Sequence, residues 1–135
     1  MYAVIDTNVI VASLKTRHND SATARIMDAV YSGRITPLVN DEILSEYREV
    51  LSRRHLKLDP VKCAYIVSLI DDLAERFDPL PTEAEMPDED DRVFFEIALA
   101  GQDVADTYLV TGNMKHYPKA GFVVTPAEFC ERTGL

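Results

Sequence analysis

Short apolar runs recur along this chain, each closed by polar or turn-forming residues and each separated from the next by helically patterned stretches. No other feature restricts the fold so strongly. Tyr2–Ile5 runs directly into Asp6, Ile35–Val39 into Asn40, Tyr108–Thr111 into Gly112-Asn113, and Phe122–Thr125 into Pro126. Runs of this length, rich in β-branched residues and bounded by turn formers, read as buried strands. Phe77–Leu80 is a further candidate strand, and Pro79, Pro81 and Pro87 make Pro79–Asp88 a loop.

Helical spacing fills the intervals. Val9–Leu14 continues from Asp6-Thr7-Asn8, whose side chains can cap it. Ala22–Ser32 starts after Ser21 and stops at Gly33. Glu42–Arg53 follows Asn40-Asp41 and places Ile43, Leu44, Tyr47, Val50 and Leu51 on one face. Asp59-Pro60 opens a helix that runs to about Arg76, and further helices are expected over Asp91–Ala100 and Pro126–Arg132. Strands alternating with helices predict an α/β domain, its central parallel sheet flanked by helices on both faces. A length of 135 residues suits one domain over residues 1–135.

Cys63 and Cys130 stand alone in helical stretches, as expected of two buried thiols in a reducing cytoplasm. The N-terminus lacks the basic segment and apolar core of a signal peptide. No apolar run approaches the roughly 20 residues of a membrane span. The expectation is a cytoplasmic protein with no membrane partner.

The formal charge is −9, from 14 Lys+Arg against 23 Asp+Glu. That excludes a passive basic binder of nucleic acid, which carries a cationic footprint. The arrangement of the acids is more informative than their sum. In open parallel sheets ligands gather beyond the carboxyl ends of the strands, where Asp6 and Asn113 are predicted to lie. Capping a helix is the ordinary task of an Asp after a strand, but Asp6-Thr7-Asn8 is richer than a cap needs. Asp88-Glu89-Asp90-Asp91 is the most acidic stretch. A helix N-terminus accommodates one or two acids; four in a row repel one another, and a hard divalent cation relieves that repulsion. Glu46 is the third candidate, and helical spacing alone does not choose between it, Glu42 and Glu49.

Together these segments resemble the PIN-domain family of metal-dependent nucleases. Four blocks carry the resemblance, in order: Val4-Ile5-Asp6-Thr7-Asn8-Val9-Ile10; Leu44-Ser45-Glu46-Tyr47-Arg48-Glu49-Val50-Leu51; Asp88 to Ala98; and Ala105-Asp106-Thr107-Tyr108-Leu109-Val110-Thr111-Gly112-Asn113. The nearest likeness is to the branch of toxin components of toxin–antitoxin systems. The resemblance implies a single PIN-like domain in which Asp6, Glu46 and Asp91 are catalytic metal-binding acids, with Asp88 as a further ligand. It makes Thr7, Asn8, Asp90, Thr111 and Asn113 supporting residues. The family often carries a fourth acid where this chain has Asn113, which supplies no charge and puts a tightly held second metal in doubt. The implied cofactor is Mg²⁺ or Mn²⁺, and the implied reaction is metal-assisted hydrolysis of RNA phosphodiesters.

Basic residues cluster at Lys15, Arg17 and His18; at Arg48, Arg53, Arg54, His55 and Lys57; and at Lys115, His116 and Lys119. Arg48, Lys115 and His116 are the candidate contacts to substrate. Two rival readings remain. A phosphotransferase of the haloacid-dehalogenase type also begins with a strand ending in Asp, but wants a second Asp where this chain has Asn8. A PIN-like scaffold that binds RNA or protein without cutting is the other, and Asn113 favours it. The resemblance further implies a cognate antitoxin. Apolar positions on the helices from Ala22 and Pro60 offer a surface for a homodimer or higher homo-oligomer.

Overall fold

Successive residues of a strand point to opposite faces, yet Ala3, Val4 and Ile5 are all buried. The strand they form must lie inside a sheet covered on both sides. A computed structural model describing all 135 residues places it there. Along the chain run β1 (Tyr2–Ile5), α1 (Thr7–Lys15), α2 (Ala22–Tyr31), β2 (Thr36–Val39), α3 (Asp41–Leu51), α4 (Pro60–Leu73), β3 (Glu75–Arg76), α5 (Arg92–Gln102), β4 (Thr107–Val110), β5 (Val123–Val124) and α6 (Pro126–Thr133). The sheet order is β3-β2-β1-β4-β5, and every pair is parallel. This is the expected α/β architecture. No helix is long and apolar enough to cross a membrane.

The strand order reverses between β1 and β4, whose register pairs Ile5 with Val110. Neighbouring connections leave in opposite directions there, so a crevice opens beyond the last residues of these two strands. Asp6 follows the one and Thr111 the other.

Two elements differ from the expectation. The edge strand is Glu75–Arg76, not Phe77–Leu80, and α4 stops at Leu73 rather than Arg76. Phe77 N–H still donates to Val39 O at 3.2 Å, but Leu80 N–H turns away to Glu96 O at 3.0 Å. The cause is exposure. An edge strand with a wet flank is read poorly by a search for apolar runs, and Arg76 pairs outward with Asp41 and Asp71. Helix starts also shift: α1 begins at Thr7 rather than Val9, while Glu89–Asp91 form a separate 3-10 turn before α5.

Helix α5 presses closely on the sheet because residue 101 is glycine. A Cβ there would meet Leu38 Cδ1 at 2.6 Å and Thr107 Oγ1 at 2.8 Å. That contact fixes the helix whose N-terminus carries Asp91.

Candidate metal and catalytic site

Asp6 caps α1 by position only, since its side chain makes no capping bond. The carboxylate is instead 6% exposed and held by three donors on one oxygen. Thr111 Oγ1 donates to Oδ2 at 2.8 Å, Tyr117 OH at 3.0 Å and Asn8 Nδ2 at 3.3 Å. Asn8 spans the crevice, because its Oδ1 also accepts from Gly112 N–H at 2.9 Å. The ends of β1 and β4 are thus tied across the switch point.

Glu46 reaches the same edge from α3. Its neighbour Tyr47 is fully buried and donates its hydroxyl to Ile5 O at 2.6 Å, which docks α3 on the last residue of β1. Thr7, the first residue of α1, donates to Glu46 Oε2 at 2.5 Å. Glu46 is therefore selected over Glu42 and Glu49 as the glutamate hydrogen-bonded at this edge. Burial raises its pKa most, the Thr7 bond lowers it, and the charges of Asp6 and Asp90 raise it again.

Asp91 enters from the turn before α5. Its carboxyl is pushed up to about 6, first by burial and then by the charge of Asp6, with His116 opposing and Asp88 and Glu46 adding to the rise. Its Oδ2 is buried without a hydrogen bond. His116 Nδ1 stands 3.2 Å away, within ion-pair distance but without hydrogen-bond alignment. Asp6, Glu46 and Asp91, from three separate elements, thus feel one another's charge.

As the side chains stand, no three His, Cys, Asp or Glu residues are drawn into a metal cage. The donor set nonetheless fits a hard divalent cation. It offers carboxylate oxygens only, they destabilise one another when charged, and one is buried with its lone pairs unused.

The remaining predicted residues divide by position. Asp88 is exposed, and its side chain accepts from Asp90 N–H at 3.0 Å while its charge reaches Asp91. Asp90 lines a cleft of about 520 Å³ with Glu46, Glu49 and Glu96, in which Arg53 and Arg92 are the cations. Asn113 Nδ2 lies 2.9 Å from His116 Nε2, so both residues are tied to the neighbourhood of Asp91. Lys115 projects into solvent from the 3-10 turn Met114–His116.

Arg48 is not brought to the acids. Two residues beyond Glu46 on a helix, it points nearly the opposite way and lines an apolar groove between α3 and α4 with Leu51, Leu58 and Val67. Arg53 and Arg92, rather than Arg48, are the basic residues in the cleft beside Glu46. Tyr117 is the participant that sequence reasoning missed.

A family model described as PIN domain matches residues 2–115. Neither a curated protein nor a solved structure matches the chain significantly. The matched span contains Asp6, Glu46, Asp88, Asp91 and Asn113 in the order of the four sequence blocks, and ends two residues before Tyr117. The phosphotransferase reading loses its support, because residue 8 is an asparagine whose amide spans Asp6 and Gly112.

Proposed function

This chain belongs to the PIN-domain family, whose members are generally nucleases, and on that premise we propose that it is a Mg²⁺- or Mn²⁺-dependent ribonuclease, the toxin of a toxin–antitoxin pair. The observation that supports the reading is that Asp6, Glu46 and Asp91 stand near enough at the switch point of the sheet for the charge of Asp6 to reach the other two, with a buried Asp91 oxygen left without a hydrogen bond. Asp6, Glu46 and Asp91 would hold the cation, with Asp88 as the flanking acid. Bound there, the cation supplies neutralisation of the phosphodiester charge and a more acidic water.

The chain's own residues prepare that chemistry. Thr111, Tyr117 and Asn8 fix the Asp6 carboxylate, and Thr7 fixes Glu46. Asp90 adds negative charge at the cleft wall, which favours a cation and disfavours bare phosphate. In this reading Lys115, exposed to solvent, would meet a phosphate from outside, and Arg53, which lines the cleft, would meet one within it. The net charge of −9 is thereby compatible with an anionic substrate, because part of it lies in the site that the cation offsets. The partners in this reading are an RNA substrate, an antitoxin and a second copy of the chain. Val61 and Tyr65, 79% and 66% exposed on α4, offer that copy an apolar contact.

Purified protein incubated with defined RNAs is expected to cut them in Mg²⁺ or Mn²⁺ and to stop on chelation. RNA bound but left intact in both metals would instead establish the non-cutting scaffold.

A further inference from the structure

Tyr117 is 4% exposed, and its hydroxyl has one partner, Asp6 Oδ2. A phenylalanine would fill the same space without burying a hydroxyl, which is costly unless the group is hydrogen-bonded. We propose that Tyr117 is a positioning residue of the carboxylate site, holding Asp6 by Oδ2 so that Oδ1 is kept for the cation. The inference rests on the reading of this edge as a divalent-cation site.

The geometry separates the two oxygens of Asp6. Oδ2 receives Thr111, Tyr117 and Asn8, whereas Oδ1 receives no hydrogen bond and is not sealed from solvent. A carboxylate pinned by several donors on one oxygen cannot rotate freely, so its other oxygen stays aimed. All three donors are neutral. A lysine or arginine in the place of Tyr117 would also hold Asp6, but its charge would compete with the cation for the same carboxylate. A neutral phenol stabilises the charged acid without that competition.

The same short turn also touches the second acid. Asn113 precedes the 3-10 turn Met114–His116, and Tyr117 closes it. His116 from this turn stands against Asp91 Oδ2, and Asn113 stands against His116. Where the family's fourth acid is replaced by Asn113, this segment contributes no acid and instead contacts Asp6 through Tyr117 and Asp91 through His116.

The test measures Mn²⁺ binding to the purified full-length protein by calorimetry, beside thermal unfolding without metal. Tyr117→Phe is expected to weaken Mn²⁺ binding about tenfold, as loss of an outer partner to a ligand does. Its metal-free unfolding midpoint should stay near that of the wild type. Thr111→Val, which removes a second donor from the same oxygen, is expected to weaken Mn²⁺ similarly and decides the matter if the first variant fails to fold. A merely structural tyrosine would lower the midpoint and leave the Mn²⁺ affinity alone. Wild-type affinity in these variants, with binding lost in Asp6→Asn, overturns the positioning role and leaves the cation site standing. A wild type that takes up no Mn²⁺ overturns the cation site and the inference with it.

Discussion

Asp6→Asn is expected to leave the fold intact and to cut metal-dependent cleavage of RNA by at least about a hundredfold, beyond the 10–100-fold typical of losing an outer-shell partner. The substitution keeps the size of the side chain and removes only its charge. Thr111 and Tyr117 can still donate to the amide oxygen, so the tie between β1 and β4 survives. A 6%-exposed carboxylate beside two others is also a poor contributor to stability, so neutralising it should not lower the unfolding midpoint. What is lost is the negative charge of Asp6 at the switch point, the central ligand of the proposed cation site. Initial rates on a defined RNA across a Mg²⁺ titration check this. Cleavage undiminished at saturating Mg²⁺ would show that Asp6 is a structural acid.

The second large effect concerns Asp91 and runs against the intuition that removing a site residue weakens a protein. In the metal-free fold its carboxyl is raised from the ordinary 3.8 to about 6. The folded state therefore favours the protonated form. The stability this contributes is complete below pH 3.8 and is lost as pH rises through about 6. Above that, the chain holds a charged carboxylate that is 13% exposed, and whose Oδ2 has no hydrogen bond. Four groups face it: Asp6, Asp88 and Glu46 oppose its charge, and His116 favours it.

Asp91→Asn removes the charge. Full linkage gives about 3 kcal/mol, and screening by solvent at the rim reduces the expected gain to about 1–2 kcal/mol near pH 7.5. Denaturant unfolding of both proteins in chelator at pH 4 and pH 7.5 measures the difference. The variant should gain on the wild type between the two pH values, and saturating Mn²⁺ should return the advantage to the wild type. Parallel behaviour of the two proteins across that range would contradict the burial of an unsatisfied Asp91.

Much of the site was legible because it follows from strand ends. A chain that alternates buried strands with helices brings the residues after its parallel strands to one edge, which places Asp6 and Asn113 there from their positions alone; that β1 and β4 are neighbours, which joins Thr111 to Asp6, comes only with the strand order. Glu46 was less determined, since three glutamates share α3. All three line the same cleft, and only the hydrogen bond from Thr7 singles out Glu46. Arg48 could have been set apart by arithmetic, because residues two apart on a helix do not share a face. The edge strand was hidden for a different reason. Glu75 and Arg76 are polar, so no apolar run announces them.

Tyr117 was hidden most deeply. An isolated aromatic after a turn reads as core, and nothing local reveals that its hydroxyl crosses from beyond β4 to the residue after β1, 111 positions earlier. A buried tyrosine close after a strand end is nevertheless a usable signal. Its hydroxyl needs a partner, and at a carboxyl edge the partner at hand is an acid.

The most direct measurement of the central claim is anomalous scattering from crystals grown with Mn²⁺. A Mn²⁺ peak is expected among the carboxylates of Asp6, Glu46 and Asp91, absent in Asp6→Asn crystals. A peak elsewhere on the protein, or none there under conditions in which RNA is cut, would contradict it.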